Sequence, residues 1–351
     1  MMTGAGKDYW PGLHVHYCLG DMLWASRQYQ ILKSCDAGRS WYIVARIPTT
    51  SALALCALIE PLRRLLRIGI RSYLQVDVDS FVVFSESRIF YWHKTLRAPI
   101  LVGKVRRGVG PLPQGCCQDE LGVCYYGEYW GNKAREEVRI YCWRPGWDQW
   151  RVFYRFAPGS IRHIHAVQFD PFSRKIWITT GDRNHESIIG YFEGSADSPR
   201  LVTIASGTQM ARAVSLIFTA DYVYWGSDAG RDTSERSNHI FRWSRKSGQI
   251  ERVASVGGPV YYSTMDNQGR LFVSTTVEGS LSEPDRFARV WMSEDGTNWR
   301  EIARWEKDSY PMLFGYGILS FPQGIAPAGK LYVVGQGVKG GPGTWVLEVG
   351  K

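Results

Sequence analysis

One pattern of apolar and polar positions recurs seven times along the chain. A short aromatic or aliphatic run ends in a small or polar residue, with copies starting at Leu23, Val82, Val123, Ile176, Val223, Leu271 and Leu331. The start-to-start spacings are 59, 41, 53, 47, 48 and 60 residues. A second run of similar flavour follows each, from Gln30, Arg88, Val138, Ser187, His239, Arg289 and Thr344. Leading runs stand at Ile164, Ala213 and Val260, and trailing runs at Trp41, Trp150 and Trp299. Runs this short, aromatic-rich and lacking 3.6-residue periodicity predict strands and exclude a helical solenoid. A strand-only repeat with a period near 50 predicts an all-β, seven-bladed β-propeller, each blade having strands A to D from the axis outwards. The expectation is a single propeller domain over residues 1–351.

Two places break the regularity. The seventh copy ends after its third strand at Lys351, so the stretch before Leu13 is expected to supply the missing outer strand. Residues 49–68 are rich in Leu, Ala and Arg, and Leu58, Leu62, Leu65 and Leu66 have helical spacing. This predicts a helical insertion against the side of the propeller, with Pro61 dividing it or opening a second turn; a partner-binding helix is the alternative.

Composition narrows the class. Charged residues make up 21% and hydrophobic residues 44%, which excludes a disordered chain. The longest apolar run, Ala52–Ile59, is far short of the roughly 18 residues of a membrane span. The N-terminus lacks a basic segment followed by an apolar core, so a cytoplasmic location is expected. Seven cysteines, all within the first 142 residues, form no C-x-x-C and are expected to be ordinary buried thiols. The net charge of +9 sits almost wholly in the first 170 residues, with 22 Lys and Arg against 14 Asp and Glu. This excess suits an anionic partner. It contains no basic run or nucleic-acid motif, so nucleic acid is disfavoured.

Ser34-Cys35-Asp36-Ala37-Gly38-Arg39-Ser40-Trp41 matches the Asp-box pattern S-x-D-x-G-x-[ST]-W residue by residue. Ser293 to Trp299 is a variant one residue shorter, and Cys142 to Trp150 keeps the register with only the glycine and the final Trp. The chain resembles the Asp-box (BNR-repeat) sialidase-like β-propeller family. That resemblance implies a structural role for the boxes and a carbohydrate-active fold. It departs from the enzymes themselves: Arg46-Ile47-Pro48 follows the first box instead of preceding it, and no arginine triad or Tyr–Glu nucleophile pair can be placed. Sialidases usually have six blades; the seven counted here resemble relatives that include glycan lyases and glycosidases.

In a propeller, the start of strand A, the end of strand B and the start of strand C share one end of the disc. Candidate chemistry collects there. Blade 3 brings Glu128, Tyr129 and Arg135; blade 4 brings Arg162, His163, His165 and Asp182; blade 5 brings Arg212, Trp225, Asp228 and His239. The two histidines lie two apart on a strand and so point to one side. His14-Val15-His16 repeats that spacing in blade 1. The expected catalytic set is His163, His165, Glu128, Tyr129 and Asp182. The expected substrate-binding set is Arg135, Arg162, Arg212, Trp225, Asp228 and His239. No metal is assigned and the cofactor is unknown. The favoured function is binding or cleaving an anionic oligosaccharide or polysaccharide carrying uronate or sialate. In elimination, a histidine or Tyr129 would take the proton α to a uronate beside Arg212. In hydrolysis, Glu128 and Asp182 would form the carboxylate pair. The alternatives are a non-catalytic protein-interaction scaffold and, third, a nucleic-acid-binding propeller.

Overall fold

The computed structural model describes residues 2–3 and 8–350. The chain forms seven sheets, as a seven-bladed β-propeller, and packs as two compact units: Met1–Arg67 with Val223–Lys351, and Ile68–Tyr222. Second strands are buried on both faces, as Ser80–Ser85 and Leu271–Thr275 are throughout. Burial on both faces explains why they read as continuous apolar runs. Trailing strands such as Tyr42–Arg46 are largely exposed and mix polar with apolar residues.

Blades 2, 3 and 4 lie in the Ile68–Tyr222 unit. Blade 2 runs Ile70–Asp77, Ser80–Ser85, Arg88–His93, Ile100–Lys104, and blade 3 runs Cys116–Gln118, Cys124–Gly127, Val138–Trp143, Arg151–Phe156. Blade 4 runs His163–Asp170, Lys175–Gly181, Ile188–Glu193, Arg200–Ser206. Each is an antiparallel meander in chain order. Leu74, Val82, Phe84, Ile89, Tyr126 and Trp143 form one continuous core between blades 2 and 3. Val138, Ile140, Ile164, Val167, Ile178 and Phe192 form the next, between blades 3 and 4. Truncating a fully buried ring here, such as Phe84, costs about 3–5 kcal/mol.

In the other unit, Asp8–Pro11 pairs antiparallel with Gly343–Glu348 and completes the seventh sheet from the N-terminus, as expected. The 49–68 insertion is two short helices, α1 (Ser51–Cys56) and α2 (Glu60–Leu66). Thr50 caps α1 by accepting from the Leu53 N–H, Pro61 opens α2, and Arg67 ends it in the left-handed region at φ 52°. Neither helix contains a buried residue. Arg64 tethers the insertion: it donates to Asp308 at 2.5 Å and its guanidinium lies over the Tyr310 ring at 4.8 Å. Among the described residues, no helix is long and apolar enough to cross a membrane.

The best Asp-box match lies where expected, in the turn between the third and fourth strands of blade 1. Asp36 accepts from Ser34 Oγ (2.7 Å), the Ser40 N–H (2.9 Å) and Ser40 Oγ (2.6 Å). Those bonds, led by Ser40, lower its pKa to about 2. Gly38 adopts φ 90°, and a Cβ there would meet the Trp10 ring at 2.2 Å. Asp295 repeats the arrangement between Phe287–Ser293 and Arg300–Glu306, accepting from the Thr297 and Asn298 N–H groups at 2.8 and 2.7 Å.

All seven cysteines are free thiols; five are buried, with Cys35 exposed and Cys56 half-buried. Burial pushes the Cys116 thiol up to about 12, as suits an inert core residue.

Candidate functional site

The antiparallel meander of blade 4 puts the start of His163–Asp170 beside the end of Lys175–Gly181, with His163 paired to Gly181. Asp182 follows directly. The strand carries a bulge that skips His165, and both imidazoles turn toward the Asp182 carboxylate. His163 Nε2 lies 3.2 Å and His165 Nε2 3.3 Å from Asp182 Oδ1, and the two nitrogens are 3.1 Å apart. The other ring nitrogens face backbone carbonyls: His163 Nδ1 is 2.8 Å from Trp130 O, and His165 Nδ1 is 3.0 Å from Ala213 O. All three residues are buried, at 4%, 3% and 8% exposure.

Glycine is required at position 181. A Cβ there would meet His165 Cε1 at 2.5 Å, so any side chain would displace the ring.

Arginines surround this centre. Arg162 donates to Asp182 Oδ2 at 2.5 Å, and Arg212 Nη2 stands 3.6 Å from Oδ1. Arg212 Nη1 and Gln209 Nε2 both donate to the Asp182 carbonyl, at 3.1 and 2.9 Å. Burial pushes the His165 imidazole below its ordinary value, and the carboxylate only partly offsets this.

Tyr129, from the loop after the second strand of blade 3, packs against His163 with ring centres 4.3 Å apart and planes tilted by 34°. Arg71, near the start of the inner strand of blade 2, places its guanidinium carbon 6.0 Å from the centre of the Tyr129 ring. The Nε atoms of Arg71 and Arg162 are buried and have no hydrogen-bond partner within the protein.

Other expected site residues go elsewhere. Glu128 is fully buried, and both its oxygens are taken: Arg106 Nε and Nη2 donate at 2.9 and 2.8 Å, and the Arg139 N–H at 2.9 Å. Arg135 pairs with Glu186, whose Oε2 accepts from the Asp182 and Arg183 N–H groups at 3.3 Å each. That pair therefore braces the Asp182 turn. Trp225 is buried and stacks on Phe241, and Asp228 is buried. His239 is held between Ser237 and Ser255 hydroxyls at 3.0 Å each. These last three lie in the other compact unit. The sequence reading missed Arg71 and Arg106. Arg71 carried a usable signal, since it opens an inner strand as Arg212 does.

Among the described residues, His163, His165 and Asp182 are the group of ligand-type side chains close enough to share one metal ion; the cysteines form no such group.

No family model matches the chain, and no curated protein matches it. Solved structures do. A chain of the Mitotic Checkpoint Complex superposes with a TM-score of 0.58 at 9% identity, over 100% of this chain and 96% of that one. The WD40 β-propeller domain of Doa1 gives 0.56 at 13% identity, over 98% and 97%. The extracellular domain of BT4673 from B. thetaiotaomicron gives 0.55 at 11% identity, over 98% of this chain but 39% of that one, so this chain spans well under half of that protein. At such identities the likeness is one of fold, which propellers of unrelated activity share.

Proposed function

We propose that this propeller binds an anionic glycan at the blade 2–4 end of the Ile68–Tyr222 unit. The carrying observation is the pair of buried Nε donors on Arg71 and Arg162, flanking Tyr129 and Asp182. A buried donor without an acceptor costs about 1–3 kcal/mol, and a ligand carboxylate would remove that cost. Tyr129 offers an aromatic face beside those charges, a combination suited to uronate or sialate units. The two Asp-box turns support kinship with the sialidase-like propellers, though turn chemistry carries no activity with it.

For catalysis, the environment favours elimination over hydrolysis. Glu128 has both oxygens committed to Arg106 and a backbone N–H, so it is poorly placed to pair with Asp182 as acid and base. Tyr129 would be the base.

A second reading, a protein-interaction scaffold, draws on one specific observation. Leu55, Leu58, Ile59, Leu65 and Leu66 of the helical insertion are each 45–64% exposed.

The test is a binding screen of uronate-, sialate- and neutral oligosaccharides. Anionic members should bind, and Arg71→Ala and Arg162→Ala should each weaken them about tenfold, the worth of one charge-assisted bond. Absence of binding to the whole anionic panel would sink the glycan reading and leave the scaffold reading standing.

A further inference from the structure

The histidine–aspartate centre poses a proton-counting problem. A backbone carbonyl can only accept a hydrogen bond, so the contacts of His163 Nδ1 with Trp130 O and of His165 Nδ1 with Ala213 O place a proton on each Nδ1. In a neutral imidazole the other nitrogen is then bare. Two bare Nε2 atoms and an anionic carboxylate oxygen face one another at 3.1, 3.2 and 3.3 Å, in a largely buried setting. Three lone pairs converging in a low-dielectric interior repel one another. One added proton relieves only one or two edges of this triangle, whereas a cation at its centre relieves all three.

The dimensions favour the cation. Bonds of about 2.0–2.1 Å to one ion put neighbouring donors about 2.8–3.4 Å apart, for six- to four-fold coordination. The measured edges fall in that interval. We infer that His163 Nε2, His165 Nε2 and Asp182 Oδ1 form a three-ligand site for a divalent transition-metal ion.

The surroundings have the features of such a site. Carbonyl partners on both Nδ1 atoms fix ring orientation and tautomer, and Arg162 fixes the carboxylate through its other oxygen. Arg212 Nη2, at 3.6 Å, is too far from Oδ1 to hydrogen-bond to it. Two imidazoles and one carboxylate suit zinc, iron(II) or manganese better than calcium or magnesium, which prefer all-oxygen shells. Three protein ligands leave coordination positions open. A dication beside Arg162 and Arg212, against the single negative charge of Asp182, makes the centre net positive. The open positions therefore favour an anionic group: hydroxide, or the carboxylate of a bound ligand. The metal inference does not depend on the glycan reading; only the identity of that last ligand does.

The experiment uses the full chain, stripped with chelator and titrated with zinc by calorimetry and with cobalt(II) by visible absorption. One equivalent should bind, with cobalt bands typical of nitrogen–oxygen ligation. Asp182→Asn and His165→Gln should each weaken zinc about 100-fold or more while keeping the far-UV circular dichroism of the wild type. Asp36→Ala, in a turn of the other unit, should bind as the wild type does. Two results would overturn the inference. One is a wild type that takes up neither metal, with imidazole NMR showing a proton on Nε2 of either histidine. The other is uptake that both variants retain in full. A negative glycan screen with metal uptake intact would remove the glycan reading alone.

Discussion

His14-Val15-His16 and His163-Ile164-His165 occupy the same place in their blades, at the start of the inner strand. His14 pairs in register with Ser26 on the neighbouring strand, and His163 with Gly181. That one difference redirects the chemistry. In blade 1, His16 Nε2 is satisfied by Ser26 Oγ at 2.7 Å. In blade 4, the glycine leaves room for the His165 ring, and its Nε2 reaches the carboxylate of the next residue, Asp182. The residue after Ser26 is an exposed arginine, Arg27, so blade 1 has no carboxylate in the matching position. Burial lowers His14 to about 4 and His16 to about 3, helped at His14 by the nearby Arg63 charge. Identical spacing thus gives a pair of neutral structural imidazoles in one blade and a three-donor centre in another.

The largest effect should come from removing the carboxylate that separates the two cases. Asp182→Ala, measured in chelator by urea denaturation, should cost about 3 kcal/mol, because Arg162 and Arg212 lose their counter-ion in a largely buried setting. A loss near zero would mean that those guanidiniums are solvated without it.

Next comes the glycine. Gly181→Ser copies blade 1 onto blade 4 and should cost about 1–3 kcal/mol through overpacking against His165, with loss of zinc uptake. Retained uptake would show that the register difference does not decide the chemistry.

Acid should expose blade 1. His14 and His16 remain neutral in the folded chain well below pH 6, whereas the unfolded chain binds protons below about 6.5. Unfolding therefore takes up protons between about pH 6.5 and 4, and stability falls as pH falls through that window. The limiting slope is about 1.4 kcal/mol per pH unit for each histidine. Urea midpoints at several pH values would read this, and His16→Gln should flatten the slope.

The smallest effect is electrostatic. Arg63→Gln removes a positive charge that lowers His14, so the imidazole should titrate a few tenths of a unit higher by NMR, while His165 stays put.

Much of the architecture was legible in sequence. The second and third strands of all seven blades, the helical break and the closing N-terminal strand follow from local alternation and spacing, which each segment carries alone. The Asp36 turn was legible for the same reason: its partners, Ser34 and Ser40, lie within four residues. Site membership was legible only in outline. Arg162, His163, His165, Asp182 and Arg212 do converge, but Glu128 turns to Arg106, and Arg71 enters from a blade whose connections look plain.

What the chain alone determined is the blade repeat and the end of each blade at which polar residues accumulate, because β periodicity and turn chemistry are short-range. What only the tertiary structure decided is which polar groups meet. His165 finds Ala213 at a separation of 48 residues, Arg135 finds Glu186 at 51, and Asp182 is reached from Arg162 and Arg212 on different blades. Neighbouring blades bring together residues about one repeat apart, and local patterning cannot say which of several similar charges will be close enough to pair.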